Sequence, residues 1–342
     1  MARPVDLAFA GAGWIASVHG YAVQHLPDLA IARVASRDPT RAAEAAARMG
    51  ATPCTYADLP AGADAVVVCT PPAQHAEHTL AATAAGATVL LEKPLCTTLE
   101  EADRLVAAEA AGARIAYAEN LVHAPAVRLA VGHAAAIGPL DGLEVRALQA
   151  RPTWGDFLSE RWGGGVLFDL GAHPLAVALL LAAPARPTGV RATLDGASDH
   201  PVDEQARVEL RFDSGLHARV EASWREAGTP VWDAQASSPT GVVRLELLPE
   251  IRVERDGHEV ARPPVPDGVV PQLHELGYLA QMESFGADVR AGRSPAVGAA
   301  FGRSVLDVVC GAYHSAGQTG AWVTLPFPGS RTRTPLQLWR PS

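Results

Sequence analysis

Lysine is almost missing from this chain. Of its 342 residues 28 are basic, yet only one, Lys93, is a lysine, and the rest are arginine. Arginine stays protonated in proteins and offers a planar fork of donors, whereas lysine carries a compact charge whose pKa shifts readily on burial. The apolar run at 87–91 predicts a buried strand that ends just before Lys93. We therefore interpret Lys93 as a residue kept for chemistry, against the alternative of a lone surface lysine without a role.

Basic clusters and long apolar runs are also missing. A net charge of −9 without any run of Lys or Arg argues against nucleic acid or an anionic membrane as partner. No stretch of about 18 apolar residues predicts a membrane span, and the first residues lack a secretory signal pattern. The four cysteines have neither metal nor redox spacing, which predicts reduced thiols in a cytoplasmic protein. No His/Cys/Asp spacing predicts a metal site.

The chain opens with the pattern of a dinucleotide-binding unit. An apolar run at 5–10 leads into Gly11-Ala12-Gly13-Trp14-Ile15-Ala16, and an amphipathic helix and a second apolar run at 29–35 follow. Strand, glycine turn, helix and strand form a βαβ unit. Gly11 permits the tight turn, Gly13 lets the backbone approach a pyrophosphate, and Ala16 allows close packing of helix on strand. We predict that the turn, Trp14 and Ile15 included, binds the cofactor.

Strands and helices then alternate to about residue 121, which predicts a doubly wound parallel sheet. The predicted strands are 65–69, 88–91 and 114–118, and the predicted helices are 41–49, 73–85 and 99–111. Polar turns follow these three strands: Thr70-Pro71-Pro72, Glu92-Lys93-Pro94 and Glu119-Asn120. Because ligands bind outside the carboxyl ends of such strands, we expect the three turns to line one crevice.

After residue 121 the pattern becomes mainly short β-like stretches separated by turn signals, which predicts a C-terminal α+β domain with a large, mostly antiparallel open sheet. Strands are predicted at 143–149, 189–194, 205–212, 216–224, 231–237, 242–247 and 251–254, and helices at 125–136, 273–291 and 299–316. At 342 residues and 48% hydrophobic, the chain is long enough for two cores. We predict a dinucleotide-binding domain at 1–121 and a substrate-binding domain at 122–342.

A second polar constellation follows the glycine run 163–165. Asp169 and His173 are four residues apart, which on one helix places both side chains on the same face. A carboxylate beside an imidazole orients the ring and suits it to acid/base work near neutral pH. Pro174 indicates that His173 lies at a kink or in a first helical turn. The alternative is an ordinary Asp and a structural His. Trp162 is either a pocket wall or ordinary packing.

Taken together, these motifs resemble the Gfo/Idh/MocA oxidoreductase family. The glycine turn, Cys69-Thr70-Pro71-Pro72-x-x-His75, Glu92-Lys93-Pro94 and Gly163-Gly164-Gly165-x-x-x-Asp169-x-Gly171-x-His173 occur in that family's order and approximate spacing. The resemblance implies an N-terminal Rossmann domain and a C-terminal sheet that faces a partner subunit in a homodimer or homotetramer.

The same resemblance assigns roles to residues. Lys93 would contact both nicotinamide and substrate oxygen, Asp169 would bind a substrate hydroxyl, and His173 would move the proton. Whether His173 or Lys93 is the immediate base stays open. His75 also follows the family pattern and would lie near the nicotinamide. Independently of the resemblance, we predict Glu92 in the cofactor site, Trp162 beside the substrate, and Asn120 in contact with both cofactor and substrate.

Three functions are compatible with these motifs. The first is an NADP(H)-dependent oxidoreductase that acts on a secondary alcohol or ketone of a sugar, cyclitol or related polyol. The second is a redox-neutral enzyme, such as a glycosidase or an epimerase-type enzyme, that retains its NAD. The third is a non-catalytic sugar sensor, a class that tends to lack the lysine and the histidine present here.

The end of the second strand predicts the preferred cofactor. NAD-preferring sites usually place Asp or Glu there to bind the ribose 2′-hydroxyl, but this strand ends with Ser36 and Arg37, which suit a 2′-phosphate. Asp38 is the competing candidate, and Pro39 after it predicts that Asp38 caps the next helix. We expect NADPH to bind more tightly than NADH in parallel titrations. A clear preference for NADH would contradict this assignment.

Overall fold

The structure is a computed structural model and describes residues 3–153 and 155–340. Its internal contacts separate two compact units. The first contains the described residues up to 96 together with 100–120 and 265–303, and the second contains 97–99, 121–264 and those from 304 onward. Residues 265–303 thus group with the N-terminal part of the chain, although they follow the second unit in sequence. The predicted domain division at residue 121 stays a prediction.

The N-terminal part of the first unit alternates strands with helices. Its elements are β1 (Val5–Ala10), α1 (Trp14–Val23), β2 (Leu29–Ala35), α2 (Pro39–Met49), β3 (Thr52–Cys54), β4 (Ala65–Val68), α3 (His75–Ala84), β5 (Thr88–Glu92), α4 (Leu99–Ala110) and β6 (Ile115–Ala118). Apart from the short β3, which was not predicted, these elements agree with the sequence pattern to within two or three residues at most ends.

The six strands form one parallel sheet in the order β3-β2-β1-β4-β5-β6. This order confirms the predicted doubly wound Rossmann arrangement. Residues in β4 and β5 are buried along their whole length, because helices cover both faces of a parallel sheet. The turns after β1, β4 and β5 follow neighbouring strands. They therefore lie side by side at the carboxyl edge of the sheet.

The second unit is built on a larger sheet. Its elements up to residue 264 are α5 (Pro125–Ala136), β7 (Gly142–Leu148), α6 (Val166–Asp169), α7 (Ala172–Ala182), β8 (Pro187–Gly196), β9 (Asp203–Phe212), β10 (His217–Ser223), β11 (Val231–Ser238), β12 (Gly241–Leu248), β13 (Arg252–Arg255) and β14 (His258–Glu259). The chain continues with α8 (Pro271–Glu275), α9 (Tyr278–Ala291), α10 (Ala299–Gly317), β15 (Val323–Thr324) and α11 (Pro335–Trp339).

Nine strands pair in the order β14-β13-β12-β11-β7-β10-β9-β8-β15. Only β7 and β10 run parallel, so the sheet is mostly antiparallel, as predicted. Along β7 and β10 buried residues alternate with exposed ones, which is the pattern of a sheet with one covered and one open face. Two-residue strands such as β14 and β15 are too short to leave a periodic signal in the sequence.

The predicted continuous helix at 273–291 is wrong. The chain forms α8 and α9, separated by Leu276 and Gly277. Gly277 adopts a left-handed conformation with φ of 85°, which ends the hydrogen-bonding pattern of a right-handed helix. The apolar periodicity of the two pieces is nearly in phase, and for that reason it looks like one helix in the sequence.

In the described ranges, no single helix has the length and apolar composition needed to cross a membrane. One bent pair, residues 160–169 with 172–182, passes this test on length and composition alone. Its second half, α7, has ten of its eleven residues buried inside the second unit.

The turn after β1 allows a stability test with a matched control. A Cβ at Gly11 would lie 2.5 Å from the carbonyl oxygen of Cys69, and its φ is 116°. Gly11→Ala should lower the free energy of unfolding by about 2–4 kcal/mol, since overpacking and backbone strain each cost about 1–3 kcal/mol. At Gly13 a Cβ would meet nothing within 4 Å, so Gly13→Ala should be close to neutral. Urea denaturation of both variants measures this, and equal stabilities would contradict the close approach.

Candidate active site

The glycine turn of the first unit is tied to both neighbouring strands. The amide of Gly11 donates to the carbonyl of Ala35 at 2.9 Å, and the amide of Cys69 donates to the carbonyl of Ala10 at 2.7 Å. Gly13 caps α1 without a side chain, and the space where a Cβ would stand is open. The first amides of α1 have no acceptor within the helix, and the helix dipole favours negative charge at this end.

Thr70, which follows β4, adds a polar group at the same edge of the sheet. It is only 6% exposed, and within the described residues its hydroxyl oxygen has no hydrogen-bond partner. Buried polar groups are normally paired, so a ligand that hydrogen-bonds to this hydroxyl would satisfy it. The N-terminus of α1 and the hydroxyl of Thr70 are groups that could bind the pyrophosphate and ribose of a dinucleotide.

The end of β2 has the local structure that the sequence predicted. One oxygen of the Asp38 carboxylate accepts the amides of Thr40 at 2.9 Å and Arg41 at 3.4 Å, which makes Asp38 the N-cap of α2. The hydroxyl of Ser36 accepts the amide of Asp38 at 3.3 Å, and Arg37 is exposed. The carboxylate of Asp38 is therefore engaged by helix amides, while the guanidinium of Arg37 is exposed to solvent.

His75 connects the turns after β4 and β5. Its Nε2 lies 2.7 Å from the carbonyl oxygen of Thr70 and its Nδ1 lies 2.9 Å from that of Pro94. A neutral ring donates to only one of these acceptors. Burial is the largest influence on the pKa of His75 and lowers it, which favours that neutral form. Because both ring nitrogens lie near backbone carbonyl oxygens, His75 links the turn after β4 to the turn after β5. The predicted contact of His75 with the cofactor stays a prediction.

Lys93 follows the last residue of β5, and the carboxylate of Glu92 is held from two sides. One oxygen lies 2.6 Å from Nε2 of His19 on α1, and the other accepts the backbone amide of Lys93 at 2.9 Å. Glu92 is 4% exposed and His19 is fully buried. No sequence motif indicated His19, because a single histidine inside a helix has no local signal.

Asn120, after β6, is fixed by the part of the chain that returns to the first unit. It is 4% exposed, and its Nδ2 donates to the carbonyl of Leu276 at 2.8 Å. Leu276 lies at the break between α8 and α9. The sequence could not indicate this contact, since the two residues are 156 positions apart.

In the second unit, Asp169 and His173 lie on two successive helices, so the kink that Pro174 indicated is confirmed. Asp169 ends α6 and His173 is the second residue of α7, with a bend of 46° between the helical segments. A Cβ at Gly171 would lie 2.5 Å from the carbonyl oxygen of Leu167, which explains why the chain can turn there. The expectation that His173 lies in a first turn is confirmed. Both side chains are buried, with 8% exposure for Asp169 and 6% for His173.

A buried carboxylate also holds the beginning of α6. Oδ1 of Asp203 accepts the amide of Gly165 at 3.0 Å, Oδ2 accepts the amide of Leu167 at 2.9 Å, and the hydroxyl of Tyr313 donates to the same carboxylate. Burial raises the pKa of the Asp203 carboxyl, and the hydrogen bond from Tyr313 opposes that rise. Asp203 thereby fixes the first turn of the helix that ends at Asp169. A lone Asp at the first position of a strand gave no signal in the sequence.

Aromatic rings surround the second constellation. The ring of His173 lies 5.5 Å from that of Trp232 on β11, and the two residues line one pocket with Pro174 and Asp233. Nε1 of Trp232 is buried and has no hydrogen-bond partner within the described residues. Trp162 packs on Phe157 with centroids 4.6 Å apart, which favours packing as at least part of its role. Trp232 was not predicted.

Within residues 3–153 and 155–340, no group of three or more His, Cys, Asp or Glu side chains is arranged to hold a metal ion. All four cysteines are free thiols, and three of them are buried.

Two parts of the sequence match models of known protein families. Residues 5–119 match "Oxidoreductase family, NAD-binding Rossmann fold", and residues 131–239 match "GFO/IDH/MocA C-terminal domain".

Curated relatives and solved structures are similar over most of their length. The chain is 29% identical to D-xylose 1-dehydrogenase (NADP(+)) 2 of Haloferax volcanii, over 86% of this chain and 91% of that protein. It is 32% identical to dTDP-3,4-didehydro-2,6-dideoxy-alpha-D-glucose 3-reductase of Streptomyces violaceoruber, over 73% and 77%. The crystal structure of GenD2 from gentamicin A biosynthesis, in complex with NAD, superposes with a TM-score of 0.85 at 25% identity, over 95% and 97%.

Proposed function

This chain belongs to the GFO/IDH/MocA family of NAD(P)-dependent oxidoreductases, and on that premise we propose that it transfers hydride between NADP(H) and a sugar, cyclitol or related polyol. The group that reacts is a secondary alcohol in one direction and a ketone in the other. Two relatives support this substrate class, because their names state a xylose and a nucleotide-linked dideoxy sugar as substrates.

The position of Lys93 is the observation that carries the proposal. It follows β5, beside the strand that leads to Thr70, and the next strand along ends at the glycine turn. The chain's only lysine is therefore at the same sheet edge as the residues that fit a dinucleotide. A group that must act next to a nicotinamide would be placed at this edge.

The proposed roles follow from the chemistry of the carbinol group. NADP(H), when bound, accepts or supplies the hydride. Lys93 stabilises negative charge on the substrate oxygen, and Asp169 accepts a hydrogen bond from a substrate hydroxyl. In the oxidation direction the hydroxyl proton passes to His173 or to Lys93. Lys93 belongs to the first unit and the other two residues belong to the second, so their action on one substrate is part of the proposal.

The proposed preference for NADP(H) rests on β2 and the residues after it. The carboxylate of Asp38 is engaged by the amides of α2, and Ser36 and Arg37 are suited to a 2′-phosphate. One relative is named for NADP and the GenD2 structure contains NAD. Both cofactors therefore occur among similar proteins, and the preference depends on residues of this chain.

A panel of polyols and keto-sugars, including D-xylose and myo-inositol, tests the proposed reaction. Absorbance at 340 nm with each nicotinamide measures turnover. Lys93→Met and His173→Ala should each lower kcat by about 10²–10⁴-fold, while the binding of NADPH stays within a few-fold of wild type. Lys93→Arg should also be inactive, because a guanidinium keeps the charge but is larger and does not give up a proton.

Matched controls keep this test specific. His258→Ala removes an exposed histidine from β14 in the same unit as His173 and should leave turnover unchanged. Wild-type activity in Lys93→Met would refute the assignment of that residue. Turnover that needs no added dinucleotide, from protein that purifies with tightly bound NAD, would instead favour the redox-neutral alternative.

We also propose that the open face of the nine-stranded sheet joins two or four copies of this chain. This face carries Arg–acid pairs, among them Arg219 with Glu144 at 3.2 Å and Arg191 with Glu209 at 2.8 Å. A surface with both signs of charge can be complementary to itself across a twofold axis. Light scattering should give two or four times 35.7 kDa. A mass of one chain at all protein concentrations would contradict the assembly.

A further inference from the structure

The carboxylate of Glu92 joins α1 to the residue on which the proposed chemistry depends. Its Oε1 lies 2.6 Å from Nε2 of His19, and its Oε2 accepts the backbone amide of Lys93 at 2.9 Å. At 2.6 Å the ring nitrogen and the carboxylate oxygen are within hydrogen-bonding distance. The imidazole therefore fixes one oxygen of the carboxylate, and the other oxygen fixes the first backbone atom of Lys93.

We propose that His19 is a positioning residue for Lys93. Its ring binds the Glu92 carboxylate, and the carboxylate binds the backbone amide of Lys93. These two hydrogen bonds fix the direction of the backbone at Lys93, directly after β5. The inference rests on the proposed function, in which Lys93 meets the substrate oxygen. His19 itself touches neither substrate nor cofactor in this proposal.

The surroundings of His19 favour this role over a simple packing role. The ring is fully buried and packs edge-on against Tyr278 of α9, with centroids 6.1 Å apart. In the part of the chain that the structure describes, Nδ1 of His19 has no hydrogen-bond partner. The hydrogen bond to Glu92 therefore explains why a polar imidazole, and not an apolar side chain, occupies position 19. Apolar residues of similar volume often stabilise a core as well as a buried polar pair does, so stability alone does not require the pair.

The position of His19 along α1 links the two parts of the candidate site. The helix begins at Trp14, directly after Gly13. His19 is five residues after Trp14, which is about 7.5 Å along the helix axis. One rigid element therefore presents its N-terminus toward the proposed pyrophosphate position and orients the turn that carries Lys93. A shift of α1 on cofactor binding would be passed to Lys93 through a hydrogen-bonded path.

Because the chain has one lysine, its environment can be measured directly. Reductive methylation with ¹³C-formaldehyde should label Lys93 and the terminal amine only, so NMR without any substrate should show two sets of methyl signals. His19→Leu removes the donor to Glu92, whereas His19→Gln keeps an amide nitrogen near the position of Nε2. We expect the Lys93 signal to move or broaden in His19→Leu and to stay close to wild type in His19→Gln, with the terminal amine as internal reference.

Kinetics with D-xylose, or with the panel compound that turns over fastest, provide the second measurement. His19→Leu should lower kcat by about 10–100-fold, as expected for a misplaced catalytic group, while KM for NADPH or NADP⁺ stays within about twofold. His19→Gln should recover most of kcat. An unchanged Lys93 signal and an unchanged kcat in folded His19→Leu would overturn the inference, even if its melting temperature falls.

If His19→Leu does not fold, a comparison of His19→Gln with His19→Asn tests the same role. Asn and Gln are both neutral amides, but Asn is too short to reach the Glu92 carboxylate from α1. A wild-type Lys93 signal in His19→Gln and an altered one in His19→Asn would support the positioning role, and equal signals would overturn it. Full activity in Lys93→Met would refute the proposed function instead, and the NMR comparison would still report on the position of Lys93.

Discussion

The close approach of β1 and β4 at Gly11 is the constraint on which the first unit depends. With the Cys69 carbonyl 2.5 Å from where a Cβ would lie, only glycine lets the chain leave β1 at this angle. That angle sets where α1 begins, and α1 carries both the open N-terminus at Gly13 and the ring of His19. The candidate cofactor cradle and the support of Lys93 therefore follow from one tight turn.

Both units use a buried carboxylate to hold backbone amides beside a candidate catalytic residue. Glu92 holds the amide of Lys93, and Asp203 holds Gly165 and Leu167 at the start of the helix that ends at Asp169. Leaving a buried acceptor unpaired costs about 1–3 kcal/mol, so each carboxylate penalises any conformation that releases its amides. This penalty makes the local backbone rigid without placing the carboxylate itself in the chemistry.

Charge is divided between two kinds of site. Exposed arginine–acid pairs such as Arg219 with Glu144 cover the open face of the large sheet, and each such pair contributes only about 0–1 kcal/mol to stability. The single lysine follows β5 at the carboxyl edge of the parallel sheet. Composition showed that arginine supplies all the other positive side chains, and the structure showed where the lysine lies.

The sequence by itself determined the βαβ unit, most strands of both sheets, the cap at Asp38 and the motif residues, because periodicity and turn chemistry are local properties. It did not determine the break at Gly277, where a glycine interrupts an apolar pattern that continues in phase. Only the tertiary structure revealed the contacts of His19 with Glu92 and of Tyr313 with Gly165, which join residues 73 and 148 positions apart. Such pairs are selected by packing in three dimensions, and one sequence has no periodic signal for them.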